Sequence, residues 1–451
     1  MQTFLLEWRL ALHSRLASGA VLLLLVLSAL AVWSGMAAVA DQRAALARID
    51  LAQRDDVAAV AEKYQAGGDA GYAAYSTPHL TVNAPSALAF AAFGQRDVQP
   101  FSLRVRLLGL QSQLYESESV NPELAAAGRY DYAFVLVYLA PLFVIALMHD
   151  LVTGERESGR LRLLASLPSS SGTLWRRRIA LRYGLVLAVL LLPFLVGALL
   201  SGASWSGIAL FVAASALYVG FWFGLSAYVA GRVRTSAAAA AILLAAFVVL
   251  TLVLPAAANA AIDRALPVSK GVQISLAQRQ EVHQGWDLPK PETFDKFFRT
   301  HPEWRDTSPV TGRFHWKWYY AMHQAGDDAV APRVAQYRGD MLAREEWAER
   351  LGYVLAPVNV QALLHRAADT DLRAQLAYQE RVEAFHTRLR QYFYPFIFND
   401  RSFGPAEFAA LPRYAGEARE GSIGKDGPLA LLVLAALAVF LGLRGVGRAA
   451  V

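Results

Sequence analysis

Six stretches of this 451-residue chain contain no Asp, Glu, Lys or Arg and are apolar over membrane-crossing length, at about 16–40, 132–149, 183–203, 205–231, 235–260 and 427–443. A hydrocarbon core of about 30 Å takes about 20 apolar residues of helix, and within it each backbone polar group must bond inside its own segment. The expected fold class is therefore an all-α polytopic membrane protein with six transmembrane helices. The uncharged run 183–231 is nearly twice the needed length and reads as a helical hairpin turned near "SGASWSG". Pro141 is expected to kink the second crossing. Charged residues make up 18% of the chain, against about 25% in soluble domains, and the deficit lies in these windows. The chain has no cysteine, which excludes disulfides and thiolate metal sites.

Arginine placement orients the crossings. With a cytoplasmic N-terminus, the inner segments 1–15, 150–182, 232–234 and 444–451 carry 13 arginines and 4 acids, a net of +9. The outer segments 41–131 and 263–426 sum to about −3 and 0, so the formal +6 of the chain is a topology signal. No outer segment is basic enough to suggest nucleic-acid binding. "AVA" at 38–40 mimics a signal-peptidase site, but the preceding apolar run of about 25 residues exceeds the usual 7–15 and favours an uncleaved anchor. The expected location is the bacterial cytoplasmic (inner) membrane, with both termini cytoplasmic.

The remaining segments fill in a domain plan. Phe4, Trp8 and Leu12 share one helical face, so residues 1–15 suit a cytoplasmic interfacial helix, with a simple charged flank as the alternative. Residues 41–131 form a first extracytoplasmic insertion, helical over 42–66, broken at "AGGDAG", with a strand at "FSLRVRL". Residues 261–426 form a second, helical over about 313–353 and 358–396, with Pro395 marking the end. Together they are expected to build one helix-rich extracytoplasmic domain.

The segment 150–168, "DLVTGERESGRLRLLASLP", follows the second crossing. Glu155, Arg156, Glu157 and Arg160 occupy little more than one helical turn, allowing i,i+3 and i,i+4 pairs, and leucines follow up to Pro168. Such a helix, lying along the membrane, would show charge to a cytosolic partner and leucines to the bundle. A solvated turn bearing orientation charges fits the composition equally well.

The stretch "YLAPLFVIALMHDLVTGERESGRLRLLASLP" resembles the second span and coupling helix of ABC-2 type transporter permeases. Glu155, Arg156, Glu157, Gly159, Leu161, Leu164 and Pro168 carry the match, with Arg160 where many relatives have threonine. "FAAFGQRDVQPFSLRV", "WKWYYAMHQAGDDAVAP" and "PVNVQALLHRAADTDLRAQLAYQERVEAFHTRLRQYFYPFIF" resemble the branch with large insertions between spans 1–2 and 5–6. The resemblance implies a dimer of two six-helix units, homomeric or of related permeases. Each unit would dock on a separate ABC ATPase subunit that holds the ATP and Mg, leaving no cofactor in this chain. It also implies ATP-driven export, with Arg156, Glu157 and Arg160 as candidate ATPase contacts. The family's re-entrant exit gate does not carry over, because a whole domain fills the interval between spans 5 and 6.

The residues themselves agree on the energy source. No G-x-x-x-x-G-K-[ST] occurs, and no span interior holds the ionisable group that ion-driven carriers need. Without substrate crossing, the same chain would be a mechanical scaffold acting on a periplasmic protein, the alternative function. In the fourth span Gly220 and Gly224 have helix-packing spacing, favouring bundle packing over a dimer contact. Tyr218, Trp222 and Ser226 are candidates for lining a path. His315 and His323 suggest a metal site only weakly, lacking i,i+4 spacing, so none is expected. Trp316, Trp318, Tyr319 and Tyr320 read as helix packing sooner than ligand recognition. No nucleophile elbow or paired-carboxylate site appears, so no catalytic residue is expected.

Overall fold

The computed structural model describes residues 15–115, 129–165, 171–268, 271–419, 421 and 423–449. The interfacial helix expected over 1–15 and the stop at Pro168 lie outside the described residues. Six described helices are long and apolar enough to cross a membrane.

The first, α1 (Arg15–Glu62), is a single rod of 48 residues. At 1.5 Å per residue it is roughly 72 Å long, more than twice a hydrocarbon core of about 30 Å. The helix expected over 42–66 is thus continuous with the first crossing. No Gly or Pro interrupts 36–62, and an Asp50–Arg54 ion pair of 2.6 Å supports its polar half. Beyond it come β1 (Gly68–Asp69), α2 (Ala70–Ser76), β2 (His79–Val82), β3 (Ser102–Val105) and α3 (Leu110–Tyr115). The strand expected at "FSLRVRL" is β3, antiparallel to β2 in the register His79↔Val105.

The second crossing, α4, joins Tyr132–Phe134, a π-helical turn Val135–Leu139 and Ala140–Met148. The ring of Pro141 removes a backbone donor, and the chain answers by widening the preceding turn, with Ala140 N–H donating to Val135 O. The fifth crossing repeats the device. In α9, Ser236–Val248 and Leu254–Ala265 flank a π turn at Val249–Val253, just before Pro255. Between α4 and α9 lie α5 (Thr153–Glu157), α6 (Arg160–Ala165), α7 (Ser171–Leu200) and α8 (Trp205–Arg232). The α7–α8 turn falls at "SGASWSG", where Ser204 accepts a hydrogen bond from Gly207 N–H.

The last crossing is α16 (Asp426–Ala449), and it packs most closely on α8. A β-carbon at Gly224 would strike the α16 backbone at Ala438, and one at Gly231 would lie 2.5 Å from Gly445 C. Small residues let these two backbones touch.

A polar module holds α10 (Gly271–Gly285), α11 (Lys290–Thr300), α12 (Trp316–Gly352), α13 (Ala356–Ala367), α14 (Leu372–Phe398), β4 (Ser402–Phe403) and α15 (Pro405–Ala409). Both long segments build it. β1 pairs with β4 across Gly68↔Phe403, and Tyr115, Tyr320, Phe393 and Phe403 share its core. The helix expected over 358–396 is divided at Ala368–Asp371, where Asp369 has φ 54°. It also continues past Pro395 to Phe398, because a proline in the final turn costs only one backbone bond.

Two pieces of the segments between crossings pack against the core of the crossings. Non-helical residues 86–93 seat Phe90 against Phe194 of α7, with ring centroids 6.2 Å apart, and against Gly35 of α1. Helix α13 buries Val360 and Leu364 in the same core. Each is tied to the other: Thr370 Oγ1 donates to Ala92 O at 2.8 Å, and Gln95 N–H to Thr370 O at 2.8 Å.

Candidate functional site

The charged segment after α4 is fixed to three crossings. Leu151, Val152 and Thr153 are buried as the chain leaves α4, and Thr153 Oγ1 donates to His149 O at 2.7 Å. Helix α5 then ends at Gly159, whose φ of +72° a side chain would resist. This break is why the expected pairs within one helix do not form. Arg160 opens the next helix, α6, and bonds across the break to Glu155 at 2.7 Å.

The other charges point at neighbouring crossings. Glu155 also receives Arg178 of α7 at 3.0 Å, and that guanidinium lies 5.3 Å above the buried Trp175 ring. Arg156 donates to Val233 O, the C-cap of α8, at 2.6 Å. Glu157 accepts from both Ser236 N–H and Ser236 Oγ–H, each at 2.9 Å, at the first turn of α9. A carboxylate there satisfies an orphan donor and meets the positive end of the helix dipole. Leu161 and Leu164 are half-buried against the bundle core. The exposed residues of the turn are Glu157, Ser158, Gly159 and Arg160, and a β-carbon at Gly159 would meet nothing within 4 Å.

Sequence reasoning thus found the segment but not its bonds within the chain: Arg156 reaches the end of α8, and Glu157, itself exposed, reaches the start of α9. It missed Thr153, Arg178, Val233 and Ser236. The available signals were the Arg triplet opening α7 and the "RTS" cap pattern opening α9.

The fourth-span residues pack within the bundle. Tyr218, Trp222 and Ser226 are fully buried within one chain. The Tyr218 hydroxyl donates at 2.9 Å to Val137 O, a carbonyl of the widened turn in α4, while Trp222 packs edge-on against Phe221. Gly224 makes the close approach to α16, whereas a β-carbon at Gly220 would meet only Tyr183, at 3.8 Å. The spacing that matters is Gly224 to Gly231.

In the module, His315 caps α12 by accepting from Lys317 N–H at 3.2 Å, and His323 Nδ1 accepts from Gly109 N–H at 3.1 Å. Among the described residues no three His, Asp or Glu side chains lie close enough to hold a metal ion. Trp318 and Tyr320 are buried in helix packing. Asp327 joins the two long segments. Its carboxylate accepts from Leu110 N–H at 2.8 Å, from Gln111 N–H at 3.2 Å and from Arg390 at 2.6 Å. Burial raises the Asp327 pKa, against the opposing charge of Arg390.

Residues 272–416, which cover most of the module, match a family described as a domain of unknown function, DUF3526. No curated protein and no solved structure matches the chain.

Proposed function

We propose that the chain is the membrane-spanning subunit of an ATP-driven ABC-2 type exporter, without catalytic residues of its own. It sits in the bacterial cytoplasmic membrane with both termini inside and the polar module outside. It pairs with a second permease, identical or related, and each permease docks on a separate ATPase that binds ATP and Mg. The observation that carries this reading is the clamp on 153–160. A load applied at Ser158–Arg160 passes through Glu155 to α7, through Arg156 to the end of α8 and through Glu157 to the start of α9. A merely solvated turn has no need of bonds to three crossings.

The absence of native cysteine gives a clean test. A single Ser158→Cys should cross-link to a cysteine on the ATPase surface in purified membranes, and ATP should change the yield. A Ser158→Cys protein that reaches the membrane but never cross-links to an ATPase overturns the reading.

One observation favours a second reading, in which movement is delivered to a periplasmic protein without cargo. The 48-residue α1 runs unbroken from the first crossing into the module, as a lever would. Reconstituted export of any substrate would decide against it.

A further inference from the structure

An apolar groove with a volume of about 490 Å³ opens between α7, α8 and α16, within the range of about 300–1,000 Å³ for small-molecule sites. Its floor is Gly220, Gly224 and Ala435, with Tyr183 and Leu432 among its walls and Arg176 at the α7 end. Along α16 it extends from Leu432 to Leu443, roughly 16 Å at 1.5 Å per residue, or about half of a hydrocarbon core of about 30 Å.

That length matches one leaflet, and Arg176 lies on the first turns of α7, at one end of the groove. Arg176 is exposed and has no ion-pair or hydrogen-bond partner among the described residues. Its neighbours are occupied: Arg178 with Glu155, Arg232 on the Tyr228 ring at 4.4 Å and Arg444 on the Phe440 ring at 4.4 Å. We infer that the groove seats one phospholipid of this leaflet, its acyl chains against Gly220 and Ala435 and its anionic headgroup phosphate on Arg176. Basic pockets between membrane helices recognise anionic headgroups in this way.

A second copy of the chain fits the groove poorly. A two-fold axis through the groove would set the concavity against its own copy and leave a doubled void that close packing does not tolerate. The inference rests only on the six crossings and is independent of the exporter reading.

The test takes the full chain reconstituted in vesicles of equal phosphatidylglycerol and phosphatidylcholine, then extracted gently for native mass spectrometry. Phosphatidylglycerol should be retained over phosphatidylcholine by about fivefold, the worth of one cation at an anionic surface. Arg176→Gln should bring that ratio near one. Gly220→Leu, whose β-carbon meets only Tyr183 at van der Waals distance and which lines the groove, should remove retained lipid of both kinds without changing helicity. No headgroup preference in the native chain, or a preference that survives both variants, overturns the inference. So does high-yield Ala436→Cys cross-linking between copies, which would make the groove a protein interface.

Discussion

Glu157 and Ser236 are 79 positions apart in sequence and are joined by two hydrogen bonds of 2.9 Å, through which the turn after the second crossing holds the start of the fifth. Glu157→Ala removes both bonds and the charge at the helix end. A loss of about 1 kcal/mol of local stability is expected, as for other helix-cap deletions. Membrane insertion should be unchanged, while hydrogen exchange in the first turn of α9 rises about fivefold. Unchanged exchange there would show that the latch carries no load.

The two glycines of the fourth span should behave oppositely. Gly224→Ala drives a methyl into the α16 backbone, and overpacking of this kind costs about 1–3 kcal/mol. Gly220→Ala meets open space and gains helix propensity, by up to about 1 kcal/mol. Thermal melting in detergent should therefore fall for the first and hold or rise for the second.

Asp327 is expected to be the costliest single substitution in the module. Asp327→Ala uncaps α3 and leaves Arg390 buried without its carboxylate. Removing one partner of a buried ion pair costs about 3–5 kcal/mol. Limited proteolysis should then cut the 102–115 segment well before 372–398 opens, since α14 keeps its own aromatic core.

Acid should loosen the module. Burial lowers His79 to about 4, and burial together with the Arg390 charge holds His386 well below its usual value. Both folded-state values lie below the unfolded one, so protons bind preferentially to the opened chain. The stability these two residues contribute is complete above about pH 6.5 and is lost as pH falls toward 4, at up to about 1.4 kcal/mol per pH unit for each group. Opening energies from hydrogen exchange over 272–416 should follow that slope. His79→Leu, placed between the Phe385 and Phe393 rings, should remove its share.

The crossings were legible because an apolar run of about 20 residues without a single charge suits a bilayer and little else. The continuous α1 was less so: its alanine-rich polar half carries no hydrophobic stripe to tie it to the first crossing, only an absence of breakers. That residues 86–93 and α13 pack against the crossings was not legible, since short apolar runs look alike in a module core and in a bundle. At the candidate site the charges themselves were visible, but their direction was not. Arg178 lies 23 positions from Glu155, and Ser236 lies 79 from Glu157, so only the folded chain reveals which neighbours the acids bond.

Gentle affinity purification of the full chain from native membranes, with its companions identified and ATP turnover measured, tests most directly whether the turn at 153–160 receives motion from an ATP-hydrolysing partner. A stoichiometric Walker-type subunit with ATP turnover, lost when Arg160 and Ser158 are both replaced by bulky acidic residues, is the predicted result. Recovery of the intact protein without any ATPase, across several mild detergents, would contradict it and leave an anchored scaffold in its place.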